Sequence, residues 1–203
     1  HAIVDAFTVA GGEIISLDPG FTVYPEISII HGRKPKKIGL RESDFLLDLD
    51  ELERAITPDT QLIFLTRPNN PTSTLISIED FATAARMGAE VGALVVSDEA
   101  YIEFSDIPGQ SAVELLHKDP HTYHNVMFTR TMSKAFGLAN MRLGYAVASP
   151  EVAGCLALAN AKWPTGAVAQ AAGVAALNDK AHLQETLQGV SRERKRMTDA
   201  FNK

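Results

Sequence analysis

The chain of 203 residues carries a single cysteine, Cys155. One thiol excludes an internal disulfide and fits a reducing compartment, so the expected location is cytoplasmic. Cys155 lies in an alanine- and leucine-rich helical stretch, where a small core residue is expected. Long apolar runs are missing as well, so no bilayer-spanning helix and no membrane partner are expected. Basic charge is scarce: 19 Lys and Arg stand against 25 Asp and Glu, a formal net charge of −6. That balance argues against nucleic acid as the main partner. The basic runs at residues 33–37 and 192–196 are local and read as solvated faces. His117, His121 and His124 fall in a polar loop without ligand-like spacing, so no metal site is expected.

What is present is an ordinary globular composition, 45% hydrophobic and 22% charged, with enough residues for one sizeable core. The chain opens on His1 inside a helix-like pattern and closes inside a charged helical one, so both ends are expected to be cut from a longer protein. A helix over residues 2–10 is stopped by Gly11-Gly12, and a short strand follows over 13–17. Asp18-Pro19-Gly20 is a turn, with Phe21 at its exit. A helix or loop-helix segment over 22–30, a strand over 35–40 and a short helix over 49–56 come next.

Residues 61–66 form a continuous apolar strand, the pattern of a strand covered on both faces. Arg67-Pro68-Asn69-Asn70-Pro71 breaks it. A helix then runs from Ser77, its N-cap, to about Val91. Apolar strands follow over 93–97 and 125–130. Strand, crossover helix, strand is the signature of a doubly wound α/β fold, whose ligands sit beyond the carboxyl ends of the strands. Asn70, Asp98 and Lys134 each lie just past such an end. The strand over 143–148 follows Lys134 by only about eight residues, fewer than the dozen or so that a parallel crossover needs, and is expected to run antiparallel. Ser149-Pro150 starts a helix that should end near Trp163-Pro164. Another is expected over 166–177. A long amphipathic helix over 180–201 carries Leu183, Leu187, Val190, Met197 and Phe201 on one face.

Three stretches carry chemistry. In Thr131-Met132-Ser133-Lys134-Ala135-Phe136-Gly137, one lysine sits among hydroxyls, with Arg142 downstream. Thr131, Ser133 and Arg142 suit a phosphate, leaving Lys134 free to attack a carbonyl. Asp98 ends a buried strand, where a carboxylate needs a partner; a protonated pyridine nitrogen would serve. Tyr101 and Asn70 could each donate to a phenolate oxygen on the same ring, and Phe21 could cover its face. The bland readings of each residue are a surface lysine, a turn aspartate, a core tyrosine and plain packing. The ordered set outweighs them. Tyr24 and Trp163 could reach a substrate.

Together these stretches resemble the large domain of a fold-type I pyridoxal-phosphate aminotransferase, of the class that includes histidinol-phosphate aminotransferase. Pro68-Asn69-Asn70-Pro71-Thr72, Asp98-Glu99-Ala100-Tyr101, Thr131 through Arg142, and Asp18 through Tyr24 are similar to that family's motifs. The resemblance implies a three-layer α/β/α fold with a mostly parallel sheet and one antiparallel strand. Residues 1–178 would form the cofactor-binding domain, and 179–203 a long helix leading to a small domain beyond this chain. It implies pyridoxal 5'-phosphate held as a Schiff base on Lys134. Phe21, Asn70, Asp98, Tyr101, Thr131, Ser133 and Arg142 would surround it.

The implied reaction moves an amino group from a small-molecule donor, histidinol phosphate first among them, to a 2-oxo acid acceptor, in a homodimer. A threonine-phosphate decarboxylase-like lyase on the same scaffold, or a non-catalytic α/β module, would show much the same stretches. The chain departs from the family at Ser73, where glycine is usual. It also departs in lacking, by the same resemblance, the upstream glycine loop for the phosphate and the downstream substrate arginine.

Overall fold

The computed structural model describes residues 1–160 and 165–202. Its centre is a six-stranded sheet in the order β2-β1-β3-β4-β5-β6. The strands are β1 (Glu13–Asp18), β2 (Lys34–Gly39), β3 (Thr60–Thr66), β4 (Leu94–Asp98), β5 (Val126–Thr131) and β6 (Gly144–Ala148). The first five are parallel, and β6 runs antiparallel to β5, as the short link after Lys134 requires.

Side chains alternate across a strand, and here each parity has its own helical cover. Ile14, Leu62, Phe64, Leu94, Val96 and Met127 form one core face. It is packed by α1 (Ala2–Phe7), α2 (Val23–Ile30) and the apolar side of α6 (Pro150–Ala159). Ile15, Ile63, Leu65, Val95, Val126 and Phe128 form the other. That face lies under α3 (Leu49–Ala55), α4 (Ile78–Glu90) and α5 (Val113–Lys118). The chain is therefore the three-layer α/β/α fold that the resemblance implied. The polar stretch before β5 holds a short helix, α5, where the sequence reading had only a loop.

The helix starts follow from their caps. Asp48 accepts from the Glu51 amide at 2.9 Å, and Ser77 from the Asp80 amide at 3.0 Å. Such caps satisfy amides that the helix itself cannot reach. Ser149 caps α6, with Pro150 in its first turn. That helix ends at Ala159, earlier than expected; Trp163 and Pro164 lie outside the described residues. The last two helices are α7 (Ala167–Asn178) and α8 (Lys180–Phe201).

One reading is corrected. Cys155 is exposed rather than part of the core, because no residue of α6 is fully buried. The long helix expected over 180–201 is α8, and Val190, Met197 and Phe201 on its apolar face are exposed.

Connectivity also locates a crevice. After β1 the chain moves to one side to form β2, then crosses to β3 on the other. The point where direction reverses, between the carboxyl ends of β1 and β3, is where open α/β sheets leave room for ligands.

Candidate active site

Phe21 and Asn70 flank that reversal point. β1 ends in the turn Asp18-Pro19-Gly20, which Gly20 makes possible: a Cβ there would stand 2.2 Å from the Leu17 carbonyl oxygen. β3 ends in Arg67-Pro68-Asn69-Asn70. The two turns are tied by Asn69, whose buried amide donates to the Pro19 carbonyl at 3.1 Å and to Thr72 Oγ1 at 2.8 Å. The sequence reading assigned no role to Asn69. Its one visible signal was the doublet Asn69-Asn70 between two prolines.

Asp98 closes β4 in register with Thr66 and Thr129. Its parity turns the carboxylate toward α2, where Tyr24 Oη donates to Oδ2. Oδ1 accepts from the Ala100 amide at 3.1 Å and, more weakly, from Thr129 Oγ1 at 3.5 Å. Burial raises the Asp98 carboxyl above its ordinary range; these hydrogen bonds oppose the rise without cancelling it. Burial, then the Asp98 charge, hold the Tyr24 hydroxyl well above its usual range, so it stays a proton donor.

Tyr24 is itself fixed by stacking on Phe64, ring centroids 4.2 Å apart and 3° from parallel. Phe21 meets Tyr24 edge-on at 5.4 Å and stays 38% exposed. Tyr24, considered only as a substrate contact from sequence, is thus the anchor of Asp98. Its position one helical turn past Phe21 was the available clue.

Asn70 and Tyr101 share a cleft of about 400 Å³ with Pro68, Pro71, Phe104 and, from α8, Val190. Lys134 Nζ lies 5.0 Å from the centre of the Tyr101 ring. Lys134 projects from a turn pinned by buried Met132 and Ala135 on either side, while Lys134 itself is exposed. Gly137 closes this turn at φ +68.

Thr131 Oγ1 accepts from the Ser133 amide at 3.1 Å and donates to the Leu143 carbonyl at 3.4 Å. Arg142 sits at φ 49 and ψ 44, and its guanidinium donates to the Ala139 carbonyl at 3.0 Å. The structure therefore brings Phe21 toward Asp98 through Tyr24, and both Asn70 and Lys134 near Tyr101. The side-chain bonds of Thr131 and Arg142 stay within residues 131–143. Chemically, the set offers a shielded anion, an accessible amine beside an aromatic ring, and a turn with two hydroxyls and a guanidinium.

The whole chain, residues 1–203, matches the family model described as aminotransferase class I and II. The chain belongs to the class I and II aminotransferases. It is similar to an aromatic amino acid aminotransferase of Rhodococcus jostii (strain RHA1), 41% identical over 98% of this chain and 54% of that protein. A histidinol-phosphate aminotransferase of Anaeromyxobacter sp. (strain Fw109-5) is 38% identical over 95% of this chain and 51% of that one.

Among solved structures, the histidinol-phosphate aminotransferase of Clostridium acetobutylicum superposes with a TM-score of 0.86. It is 25% identical, over 99% of this chain and 57% of that one. A Thermus thermophilus aspartate aminotransferase double mutant gives 0.84 at 26% identity, over 98% and 51%. This aminotransferase chain spans about half the length of the curated relatives it matches. Enzymes of the class depend on pyridoxal phosphate. The residues present suit that group: Asp98 is a shielded carboxylate contacted by neutral donors, as a pyridinium nitrogen needs, and hydroxyls and an arginine flank the lysine.

Proposed function

We propose that this chain supplies the pyridoxal-phosphate site of an aminotransferase acting between a small-molecule amino donor and a 2-oxo acid. The observation that carries the reading is the placement of Lys134 over Tyr101, three residues past Asp98, with Asn70 on the same cleft. Lys134 would hold the cofactor and move the proton at the substrate's α-carbon. Asp98 would keep the ring nitrogen protonated, while Tyr24 holds that carboxylate in place. Asn70 and Tyr101 would donate to the ring oxygen, and Phe21 would cover the ring. Thr131, Ser133 and Arg142 would take the phosphate. When bound, the cofactor supplies the electron sink.

For the donor, histidinol phosphate is the first reading, and the histidinol-phosphate aminotransferases among the relatives support it. An aromatic amino acid is the second, favoured by the 41% identical Rhodococcus relative. Both present a flat ring, and the cleft beside Tyr101 is walled by Pro68, Pro71 and Phe104.

The test is a visible absorption titration with pyridoxal phosphate, then borohydride reduction and peptide mapping. A stable adduct on Lys134, absent in Lys134→Ala, is the expected result. An adduct spread over surface lysines, with none on Lys134, would sink the reading. Product analysis with histidinol phosphate, phenylalanine and threonine phosphate then ranks the donors. Release of carbon dioxide would identify a lyase instead.

A further inference from the structure

Three charged residues that the roles above leave unused meet beneath the strand ends: Arg67, Glu99 and Arg130. Arg67 and Glu99 are wholly shielded, and Arg130 is partly so, with 19% of its side chain exposed. They stand on adjacent strand ends, each one residue past the row Thr66, Asp98, Thr129. Parity therefore sends them to the α4 and α5 side of the sheet, opposite Asp98. Glu99 is the hub. Its Oε2 accepts from Arg130 Nε at 2.9 Å and from Ser111 Oγ at 2.8 Å; Arg130 Nη2 lies 2.9 Å from the same oxygen and donates to Ser111 Oγ at 3.0 Å. Oε1 accepts from the Ala112 amide at 2.6 Å and from Ser97 Oγ at 3.2 Å, and faces Arg67 Nη1 at 3.9 Å. The same residues join the strands through the backbone: Arg67 N donates to Asp98 O at 2.8 Å, and Glu99 N to Thr129 O at 2.9 Å.

A buried ionic row is a poor way to gain stability, because well-packed apolar groups of equal volume do as well or better. Arg67 illustrates the cost: burial lowers its pKa to about 10, and its Nη2 has no partner among the described residues. What such a row does provide is fixed geometry, since an arginine fork grips a carboxylate in one orientation. Each member also stands a few residues before part of the candidate site. Arg67 leads into the Asn70 turn, Glu99 follows Asp98 and leads to Tyr101, and Arg130 leads into the Lys134 turn.

We propose that Arg67, Glu99 and Arg130 form a positioning row that sets the spacing of the three strand ends from which Asn70, Asp98 and Lys134 project. Its value to catalysis rests on the pyridoxal-phosphate reading above; its geometry does not. Arg130→Lys keeps the charge and removes the fork. Glu99→Gln keeps the shape and removes the charge, and serves if the first variant folds poorly.

Hydrogen exchange on the cofactor-free chain is followed at residues 67–73 and 131–137, with 13–18 and 34–39 at the far edge as reference. Either variant is expected to speed exchange in both turns about tenfold and leave the far edge unchanged. With pyridoxal phosphate added, the pH midpoint of its visible band should shift at equal folded fraction, which a purely structural role would not cause. Unchanged turns, or equal acceleration at the far edge, would overturn the proposal. If the wild-type chain forms no Lys134 adduct, the cofactor reading fails, while the exchange result still decides the row.

Discussion

At Ser73 the backbone holds φ 59, a left-handed conformation in a residue with a Cβ. The family resemblance expects glycine here, and the structure gives the reason: the turn that carries Asn70 keeps its left-handed corner whichever residue fills it. A side chain in this region costs about 1–2 kcal/mol. Glycine would remove that strain but leave a more flexible unfolded chain, a loss of about 0.4–1 kcal/mol. Ser73→Gly should therefore stabilise by roughly 0.5–1 kcal/mol, read as a melting temperature higher by about 2–3 °C for a chain of this size.

The Tyr24–Asp98 pair makes a second residue-scale case. Tyr24→Phe keeps the stack on Phe64 and removes one donor to a shielded carboxylate, a loss of about 1.5–3 kcal/mol when the carboxylate is charged. The pH dependence follows from Asp98. Its folded pKa is raised, so the stability it contributes is complete at low pH and falls as pH rises through the folded value. Asp98→Asn removes that fall. The variant should melt with the wild type in acid and above it at neutral pH, by on the order of 1 kcal/mol. It should also lose most capture of pyridoxal phosphate in its productive form. Melting curves at several pH values, run without cofactor, check the stability half.

Among the elements, the central parallel strands β3, β4 and β5 were legible because each is an apolar run of the right length, closed by a proline turn or a polar residue. The antiparallel course of β6 was legible from arithmetic, since the link after Lys134 is too short to cross over. The strand-end positions of Asn70, Asp98 and Lys134 were legible because each closes or follows such a run. Tyr24, Asn69 and the Arg67–Glu99–Arg130 row were not. Their meaning depends on which residues meet across strands that lie far apart in sequence, and periodicity carries no register between strands.

The same blindness misplaced Cys155. An alanine- and leucine-rich helix looks buried from composition, yet α6 meets the sheet along a thin stripe through Val152 and Leu156. Cys155 should accordingly react with an aromatic disulfide reagent in the native chain about as fast as in urea. Reaction only after unfolding would contradict its placement.

For the molecule as a whole, the question is where its uncovered apolar surface leads. Val168 and Val174 on α7 are 75% and 61% exposed, and Leu158 on α6 is 89% exposed. On α8, Phe201 is 81% exposed. Surfaces of this kind drive association unless charge intervenes. The helices differ in that respect. Residues 192–196 give α8 a dense run of charges beside its apolar stripe, including the Arg196–Glu193 pair at 2.7 Å and the Arg194–Asp106 pair. By contrast, α6 carries one acid, Glu151, and α7 has no charged residue at all.

The net charge of −6 repels between copies only within about 8–10 Å at physiological salt, too short a range to protect a neutral patch at high ionic strength. Self-association should therefore run through α6 and α7 and strengthen with salt. Sedimentation at rising protein and salt concentration checks this. Leu158→Glu combined with Val174→Glu should keep the chain monomeric, while Phe201→Glu should change little. The reverse order of effects would place the sticky surface on α8.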